Sequence, residues 1–290
     1  MSEAPGSVKR WVLAARPRTL PAAIVPVAIG ATLVRPLSIE WVNTVLCAVV
    51  ALALQIGVNY ANDYSDGIKG TDEVRVGPFR LTASKLVPAK AVRNGAFAWF
   101  FVAALAGLEL SARTSWWLVL IGLTAIIAAW FYTGGPKPYG YMGLGEVFVM
   151  VYFGFVATVG TAYAQHQNIP AKAWWFGLAA GTMACALLEA NNMRDITGDQ
   201  VSGKKTLAAR LGRDKAKWLY VLCIAMLCAG FVVGGQWITA VIAVAVYFPA
   251  LKLAFSNKQG RELLPMLMIS ARAQLIVGLV TTITFFTTLR

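Results

Sequence analysis

The sequence predicts an all-α, polytopic membrane protein with nine transmembrane helices. Its 290 residues are 58% hydrophobic and only 13% charged, whereas soluble domains carry about 25% charged residues. The apolar residues form long blocks, and the stretch from Trp218 to Leu251 contains no charged residue. Since roughly 20 apolar residues cross the hydrocarbon core of a bilayer, these blocks predict transmembrane helices rather than a soluble core.

Nine segments satisfy this pattern in order along the chain. Five of them begin with Trp, which is typical of side chains at the membrane–water interface. The predicted spans are Thr19–Leu33, Trp41–Ala61, Gly95–Leu110, Trp116–Tyr132, Gly145–Ala164, Trp174–Ala190, Trp218–Gly234, Trp237–Leu253 and Met266–Thr288.

The distribution of basic residues predicts the orientation of these spans. With the N-terminus in the cytoplasm, 21 Lys and Arg fall on the cytoplasmic side, 4 on the opposite side, and Arg272 lies within the last span. This asymmetry follows the positive-inside rule. It predicts a cytoplasmic N-terminus, an external C-terminus, and a protein of the cell membrane whose active site faces the cytoplasm.

Composition also narrows the kinds of chemistry. The four cysteines lie in apolar blocks without metal-ligand spacing, and the single histidine, His166, lies in a polar connection. A catalytic triad or a thiolate metal site is therefore not predicted. The net charge of +13 is accounted for by membrane orientation and anionic ligands, so no nucleic-acid partner is expected. The sequence carries no signal for an oligomeric state.

A first polar motif follows the second predicted span. Asn59, Asp63 and Asp66 are spaced by four and three residues, with Asn62 beside them, so they share one face of a helix. Asp72 follows in the predicted loop. Carboxylates next to hydrocarbon are costly unless they pair with cations or face a wet cavity. This face is therefore a candidate functional site.

A second motif of the same kind follows the sixth predicted span. Asn191, Asp195 and Asp199 are spaced by four residues, with Asn192 at the edge of their face. The similarity of the two motifs suggests a pseudo-repeat of residues 40–165 and 173–290 within a single domain of residues 1–290. Chance similarity between two polar loops is the alternative explanation.

Together, the two motifs predict a magnesium site. Carboxylate and amide oxygens suit hard cations, and Mg²⁺ usually bridges carboxylates to phosphate oxygens. The predicted metal ligands are Asp63, Asp66, Asp195, Asp199, Asn59 and Asn191. Nearby basic residues could bind a diphosphate or an acidic substrate, although some serve membrane orientation alone. These candidates are Arg80, Lys85, Lys137, Arg194, Lys204 and Lys205.

A third segment, from Tyr132 to Tyr141, joins the fourth and fifth spans. Its aromatic, Gly and Pro residues suit a rigid rim around a flat substrate, with Tyr132 and Tyr139 as candidate contacts, or else a plain turn. Glu146 and Glu189 lie at the ends of predicted spans. Either of these acids could face the cavity or the membrane interface.

These motifs resemble those of the UbiA superfamily of intramembrane prenyltransferases. The segment from Asn62 to Asp66 is similar to its N-D-x-x-D motif. The segment from Asp195 to Asp199, with the basic stretch of residues 203–212, is similar to its second motif. The likeness begins at residues 16–21 and covers nearly the whole chain. It implies nine helices around a cavity that is open to the cytoplasm and to lipid.

Finer details are similar to the branch that prenylates 1,4-dihydroxy-2-naphthoate in menaquinone biosynthesis. The common superfamily pattern has a third Asp where this chain has Gly70, and Asp72 follows two residues later, as is usual in that branch. The resemblance implies a Mg²⁺-dependent transferase that joins an all-trans polyprenyl diphosphate to the naphthoate, releasing diphosphate and CO₂. Transfer to 4-hydroxybenzoate or homogentisate is the closest alternative, and a cation-coupled transporter is a more distant one.

Overall fold

The computed structural model of the protein describes residues 6–34, 36–71 and 79–288, and within these ranges it contains helices and no strands. We number the α-helices in chain order. They are α1 (Ser7–Ala14), α2 (Pro21–Ala31), α3 (Trp41–Ile68), α4 (Ala89–Arg113), α5 (Trp117–Phe131), α6 (Gly145–His166), α7 (Lys172–Val201), α8 (Leu207–Leu211), α9 (Arg213–Val233), α10 (Trp237–Ala254) and α11 (Leu264–Thr288).

Every predicted span coincides with one of these helices. Seven helices of the described chain are long and apolar enough to cross a membrane. An eighth span is possible if Ser7–Thr19 and Pro21–Ala31, which meet at a bend of 52°, count as one. The helix α5 is apolar but has only 15 residues. The fold is thus an all-α membrane fold with seven or eight candidate spans by length.

Two helices continue well beyond the C-terminal ends that the sequence predicts. The second predicted span ends at Ala61, but α3 continues to Ile68, and the sixth ends at Ala190, but α7 continues to Val201. Both motifs are therefore helical and not parts of loops. The physical reason is that their polar side chains are buried, as Asp66 illustrates with an exposure of 1%. Partners inside the protein replace the water that a loop would have provided.

The helix α1 was not predicted, and it closes the first motif from one side. The Trp11 ring packs edge-on against Tyr60 on α3, with 5.2 Å between the ring centroids. The Tyr60 hydroxyl donates to the Trp11 carbonyl at 3.0 Å, and Asn59 Nδ2 donates to the Ala15 carbonyl at 2.9 Å. These contacts fix the N-terminal segment against the end of α3.

The helix α7 lies at the centre of the fold. Small residues let its neighbour α6 approach closely: a Cβ on Gly154 would lie 2.7 Å from the Gly177 carbonyl oxygen and from Gly181 Cα. Such small-residue contacts are typical of helix packing in membranes. Gly154 lies in a π-helical segment, Met150–Val159. Helices α9 and α11 pack on another side of α7, where Tyr220 and Ser270 share a buried hydrogen bond of 2.8 Å, and α10 packs on α9 and α11.

Candidate active site

A cavity of about 1140 Å³ lies between the N-terminal helices and α7. Helices α1 to α7 and their connections supply most of its wall, while α11 adds Leu264 and Leu267. Within the described part of the chain, α8, α9 and α10 supply no lining residue. The expectation that nine helices surround the cavity is therefore corrected, because α9 and α10 pack behind α7 instead.

The cavity has a polar end and a long apolar remainder. The polar end collects side chains from both motifs and from the segments that follow them. These are Asn59, Asn62, Asp66, Arg80, Asn191, Asn192, Arg194, Asp199 and Lys204. The remaining wall is mostly aliphatic and aromatic, with residues such as Leu54, Ile126 and Phe153. A ligand with an ionised head and a hydrocarbon tail matches this division.

Asp66 is the most densely contacted acid of the polar end. Its Oδ1 accepts a hydrogen bond of 2.6 Å from the Tyr141 hydroxyl, and its Oδ2 accepts one of 2.9 Å from Lys204 Nζ. Arg80 Nη2 lies 3.8 Å from the same Oδ2. Because α3, the rim and the segment after α7 all meet at this carboxylate, the structure brings the two sequence motifs together.

Asp63 has a different environment, although it lies only three residues earlier on α3. Its two carboxylate oxygens accept hydrogen bonds from the backbone N–H groups of Leu81 (2.7 Å) and Thr82 (2.9 Å). It is buried and does not line the cavity. The structure thus places this predicted metal ligand where it holds the chain segment that carries Arg80.

The second motif divides in the same way. Asp195 accepts two hydrogen bonds from Arg194, of 2.7 Å to Oδ1 and 2.6 Å to Oδ2, and it does not line the cavity. Asp199 lines the cavity, and its Oδ2 accepts a hydrogen bond of 3.1 Å from the Thr206 hydroxyl. Of the four predicted catalytic aspartates, the structure brings Asp66 and Asp199 to the cavity.

The predicted asparagines are also held individually. Asn62 Oδ1 accepts from the Thr133 hydroxyl at 2.8 Å, and Asn192 Nδ2 donates to Glu146 Oε1 at 3.0 Å. Asn191 lines the cavity beside Asn192. Asn59 also lines it, but its amide nitrogen bonds to α1, so it supports the wall as well as facing the ligand space.

Three predicted basic contacts are not brought to the cavity. Lys85, Lys137 and Lys205 are exposed and absent from the cavity wall. Lys85 occupies a turn with φ of 58°, and Lys205 contributes a backbone N–H to the Tyr141 carbonyl. Positive charge near a motif in sequence does not determine where a long side chain points. Asp72 lies outside the described residues.

The predicted aromatic rim is present. Tyr132 and Tyr139 line the cavity with their ring centroids 5.4 Å apart, and Tyr139 stacks on Phe148 at 3.8 Å. The Tyr139 hydroxyl donates to the Ala128 carbonyl at 2.9 Å. Burial raises the pKa of Tyr139, so this phenol stays neutral. Lys69 Nζ, whose pKa is lowered by burial, donates to the Thr133 carbonyl at 2.7 Å and ties the rim to α3.

Four contacts of the site residues were not predicted from the sequence. Tyr141 contacts Asp66, Thr133 contacts Asn62, Thr206 contacts Asp199, and Glu146 contacts Asn192. Tyr141 belonged to the segment that was singled out as a rim, but its partner is far away in sequence. No spacing rule connects such pairs, because each joins two separate elements.

The chemistry of the donor set fits Mg²⁺. Groups of three or more His, Cys, Asp or Glu side chains that could hold a metal by themselves are absent among the described residues. Two carboxylates, Asp66 and Asp199, and the amides of Asn62, Asn191 and Asn192 line the polar end. Mg²⁺ usually takes one or two carboxylates and completes its shell with water and substrate phosphates. The site thus suits a metal that arrives with a diphosphate.

The fold and this site define a membrane-embedded prenyltransferase, and the chain belongs to the UbiA prenyltransferase family, whose sequence model matches residues 23–263. The fold is also similar to a UbiA homologue from Archaeoglobus fulgidus solved with GPP and Mg²⁺. That likeness has a TM-score of 0.69 at 12% identity and covers 96% of this chain and 100% of that one. An apo UbiA homologue from Aeropyrum pernix gives the same TM-score at 14% identity, covering 95% and 98% of the two chains.

Among named relatives, the chain is similar to enzymes called 1,4-dihydroxy-2-naphthoate octaprenyltransferase. The Mycobacterium tuberculosis protein is 43% identical over 282 residues, which is 94% of this chain and 95% of the relative. The Escherichia coli protein is 36% identical over 231 residues, or 74% and 72% of the two chains. The resemblance seen in the sequence motifs is thereby confirmed at the level of the family.

Proposed function

We propose that this enzyme transfers a polyprenyl chain from an all-trans polyprenyl diphosphate to 1,4-dihydroxy-2-naphthoate, releasing diphosphate and CO₂, as a step of menaquinone biosynthesis. The observation that carries the proposal is the meeting of Asp66, Asp199, Arg80 and Lys204 at one end of an otherwise apolar cavity. Similarity to the naphthoate octaprenyltransferases supports the choice of acceptor.

The metal assignment is part of this proposal. Asp66 and Asp199, with an amide oxygen of Asn191 or Asn192, would hold Mg²⁺ at the polar end. A bound divalent cation supplies electrostatic stabilisation of the leaving diphosphate. Asp63 and Asp195 support the site from outside the cavity wall, because their oxygens are occupied by backbone amides and by Arg194.

The protein's own side chains stabilise charge, contact the acceptor and exclude water during the reaction. Lys204 and Arg194 add positive charge at the polar end, where negative charge develops on the leaving group as the allylic C–O bond breaks. Arg80, at the same end, binds the carboxylate of the acceptor. Tyr132 and Tyr139 offer flat surfaces to the aromatic acceptor. The apolar wall excludes the water that would otherwise capture the allylic cation. Attack by the electron-rich ring and loss of its carboxylate then complete the transfer.

The number of membrane spans that we propose is larger than the number that helix length alone supports. We propose nine spans, with α5 and the bent α1–α2 pair each crossing or entering the bilayer, in the cell membrane. The basic-residue asymmetry supports a cytoplasmic N-terminus and an active site that faces the cytoplasm. The division into two related units, residues 40–165 and 173–290, stays a prediction.

One experiment tests the function directly. Purified protein is incubated with Mg²⁺, a polyprenyl diphosphate and, separately, 1,4-dihydroxy-2-naphthoate, 4-hydroxybenzoate and homogentisate, and products are identified by mass spectrometry. We expect a decarboxylated prenyl product from the naphthoate only, and no product after EDTA treatment until Mg²⁺ is restored. Faster prenylation of either monocyclic acid would refute the acceptor assignment, and full activity in EDTA would refute the metal requirement.

A further inference from the structure

The side-chain amide of Asn192 is held by a residue behind the cavity wall. Asn192 lies on α7 and lines the polar end, and its Nδ2 donates to Glu146 Oε1 at 3.0 Å. Glu146 belongs to the first turn of α6 and does not line the cavity. The hydrogen bond therefore joins an interior acid of one helix to a cavity-facing amide of another.

This contact fixes which end of the amide faces the ligand space. Nδ2 is the donor end of the Asn192 amide and Glu146 Oε1 is the acceptor, so the NH₂ group of Asn192 points towards Glu146. The amide oxygen lies on the opposite side of the group, and it accepts no hydrogen bond from the residues that the structure describes. Since Asn192 lines the cavity, Oδ1 is the atom that it offers there.

Asn62, on α3, has the opposite amide orientation, because its oxygen and not its NH₂ group is bonded to the protein. Its Oδ1 accepts from the Thr133 hydroxyl at 2.8 Å, so its NH₂ group is the end that remains for a ligand. One wall thus offers an amide donor, which suits a phosphate oxygen, and the other offers an amide oxygen, which suits a cation. The difference comes from the residues behind each amide, Thr133 and Glu146.

We propose that Glu146 is a positioning residue that holds the Asn192 amide oxygen towards the divalent cation accompanying the diphosphate. The inference rests on the proposed function, because it requires a cation at the polar end. Ligating side chains commonly depend on such outer partners, whose loss lowers metal affinity by about 10- to 100-fold. Without Glu146, the Asn192 amide can rotate and present its NH₂ group to the cation.

The test measures metal binding rather than turnover. Mn²⁺ is titrated into the purified full-length protein with inorganic diphosphate, and free Mn²⁺ is followed by electron paramagnetic resonance. Glu146→Ala should weaken Mn²⁺ binding about tenfold or more. Glu146→Gln keeps an acceptor oxygen for the Asn192 NH₂ group and should stay close to wild type. If Glu146→Gln is as weak as Glu146→Ala, the negative charge matters and the positioning role is wrong.

Glu189→Gln is the matched control. Glu189 is a fully buried acid on α7, and like Glu146 it is absent from the cavity wall. Neither of its carboxylate oxygens has a hydrogen-bond partner among the residues that the structure describes. Its variant should bind Mn²⁺ like wild type. Weakening comparable to that of Glu146→Ala would mean that any buried acid in this region affects binding, and would overturn the proposal.

A double variant shows whether Glu146 acts through Asn192. Asn192→Ala removes the oriented amide, so adding Glu146→Ala to it should cause no further loss of Mn²⁺ affinity. A full additional loss would contradict the proposal. If Glu146→Ala does not fold, as judged by thermal unfolding, Glu146→Met keeps the volume and takes its place. Failure of the wild type to bind Mn²⁺ would instead refute the metal site in the proposed function.

Discussion

Lys204 Nζ donates to Asp66 Oδ2 at 2.9 Å, although 138 residues separate them in the sequence. This buried ion pair connects the end of α3 to the segment that follows α7. The two polar motifs of the sequence thus form one site. A charge-assisted hydrogen bond of this length is stronger than a neutral one, so it also stabilises the junction between the two parts of the chain.

The two aspartates that line the cavity should be essential for catalysis. Asp66→Asn and Asp199→Asn each remove an anionic oxygen that the proposed metal site requires, and we expect kcat to fall about 100-fold or more. Initial rates at saturating substrates measure this effect. Glu109→Gln is the control, because Glu109 is an exposed acid paired with Arg113. Activity within a few-fold of wild type in either aspartate variant would exclude that residue from the site.

Asp63→Ala should act mainly on stability. The variant leaves the backbone N–H groups of Leu81 and Thr82 without their charged acceptor, and a hydrogen bond to a charged group contributes about 1.5–3 kcal/mol. We expect the apparent unfolding temperature in detergent to fall by several degrees. Asp214→Asn controls for loss of an exposed acid, and an unchanged unfolding temperature in Asp63→Ala would contradict the supporting role.

Arg80 is the predicted partner of the acceptor carboxylate. Its guanidinium is buried at the cavity wall beside Asp66, and burying the acceptor carboxylate without a cation would cost several kcal/mol. Arg80→Ala should therefore raise the KM for dihydroxynaphthoate much more than the KM for the prenyl diphosphate. Steady-state kinetics with each substrate varied measure both values. Lys90→Ala, an exposed basic residue at the start of α4, should change neither.

A selective rise in the donor KM would assign Arg80 to the diphosphate instead. Arg80→Lys should also fail to restore the acceptor KM, because an ammonium cannot bind a carboxylate in the bidentate manner of a guanidinium.

The orientation can be tested by cysteine labelling. Three native cysteines, Cys47, Cys185 and Cys223, are buried and Cys228 is half-buried, so the native thiols should react little with a membrane-impermeant maleimide. Single cysteines at Lys90 and Asn168, both exposed, should react with a membrane-impermeant maleimide from opposite sides of the membrane. Lys90 is expected on the cytoplasmic side. Labelling of both from the same side would rule out the predicted topology.

The sequence was sufficient to locate helices and motifs because both depend on local pattern. Apolar blocks predicted the position of a helix at each of the nine proposed spans, and helical spacing placed Asp66 and Asp199 on polar faces. It could not separate Asp63 from Asp66, since both belong to the same face of α3 by spacing. Their roles differ because they have different partners. The backbone N–H groups of Leu81 and Thr82 bind the Asp63 carboxylate, whereas Lys204 binds the Asp66 carboxylate.

The same limit explains the helix ends. The predicted end of the second span at Ala61 assumed that polar residues meet water outside the bilayer. In the fold they meet other parts of the protein: Asn62 contacts Thr133, and Asp66 contacts Tyr141. Because these contacts stabilise the polar residues, the helix continues past the point where hydropathy alone would end it. Local composition does not reveal such long-range contacts, so the sequence could not predict the true helix end.

Because one end of the cavity is polar and the rest is apolar, the two products are expected to leave it in different directions. Both proposed substrates enter with an anionic group that the polar end can bind, but the prenylated ring has lost its carboxylate and carries no charge. The basic side chains of Arg80 and Lys204 then find no anionic group on the prenylated ring, and only apolar contacts retain this product. Diphosphate therefore departs to water and the quinol to lipid, so that each turnover sorts its own products between two phases.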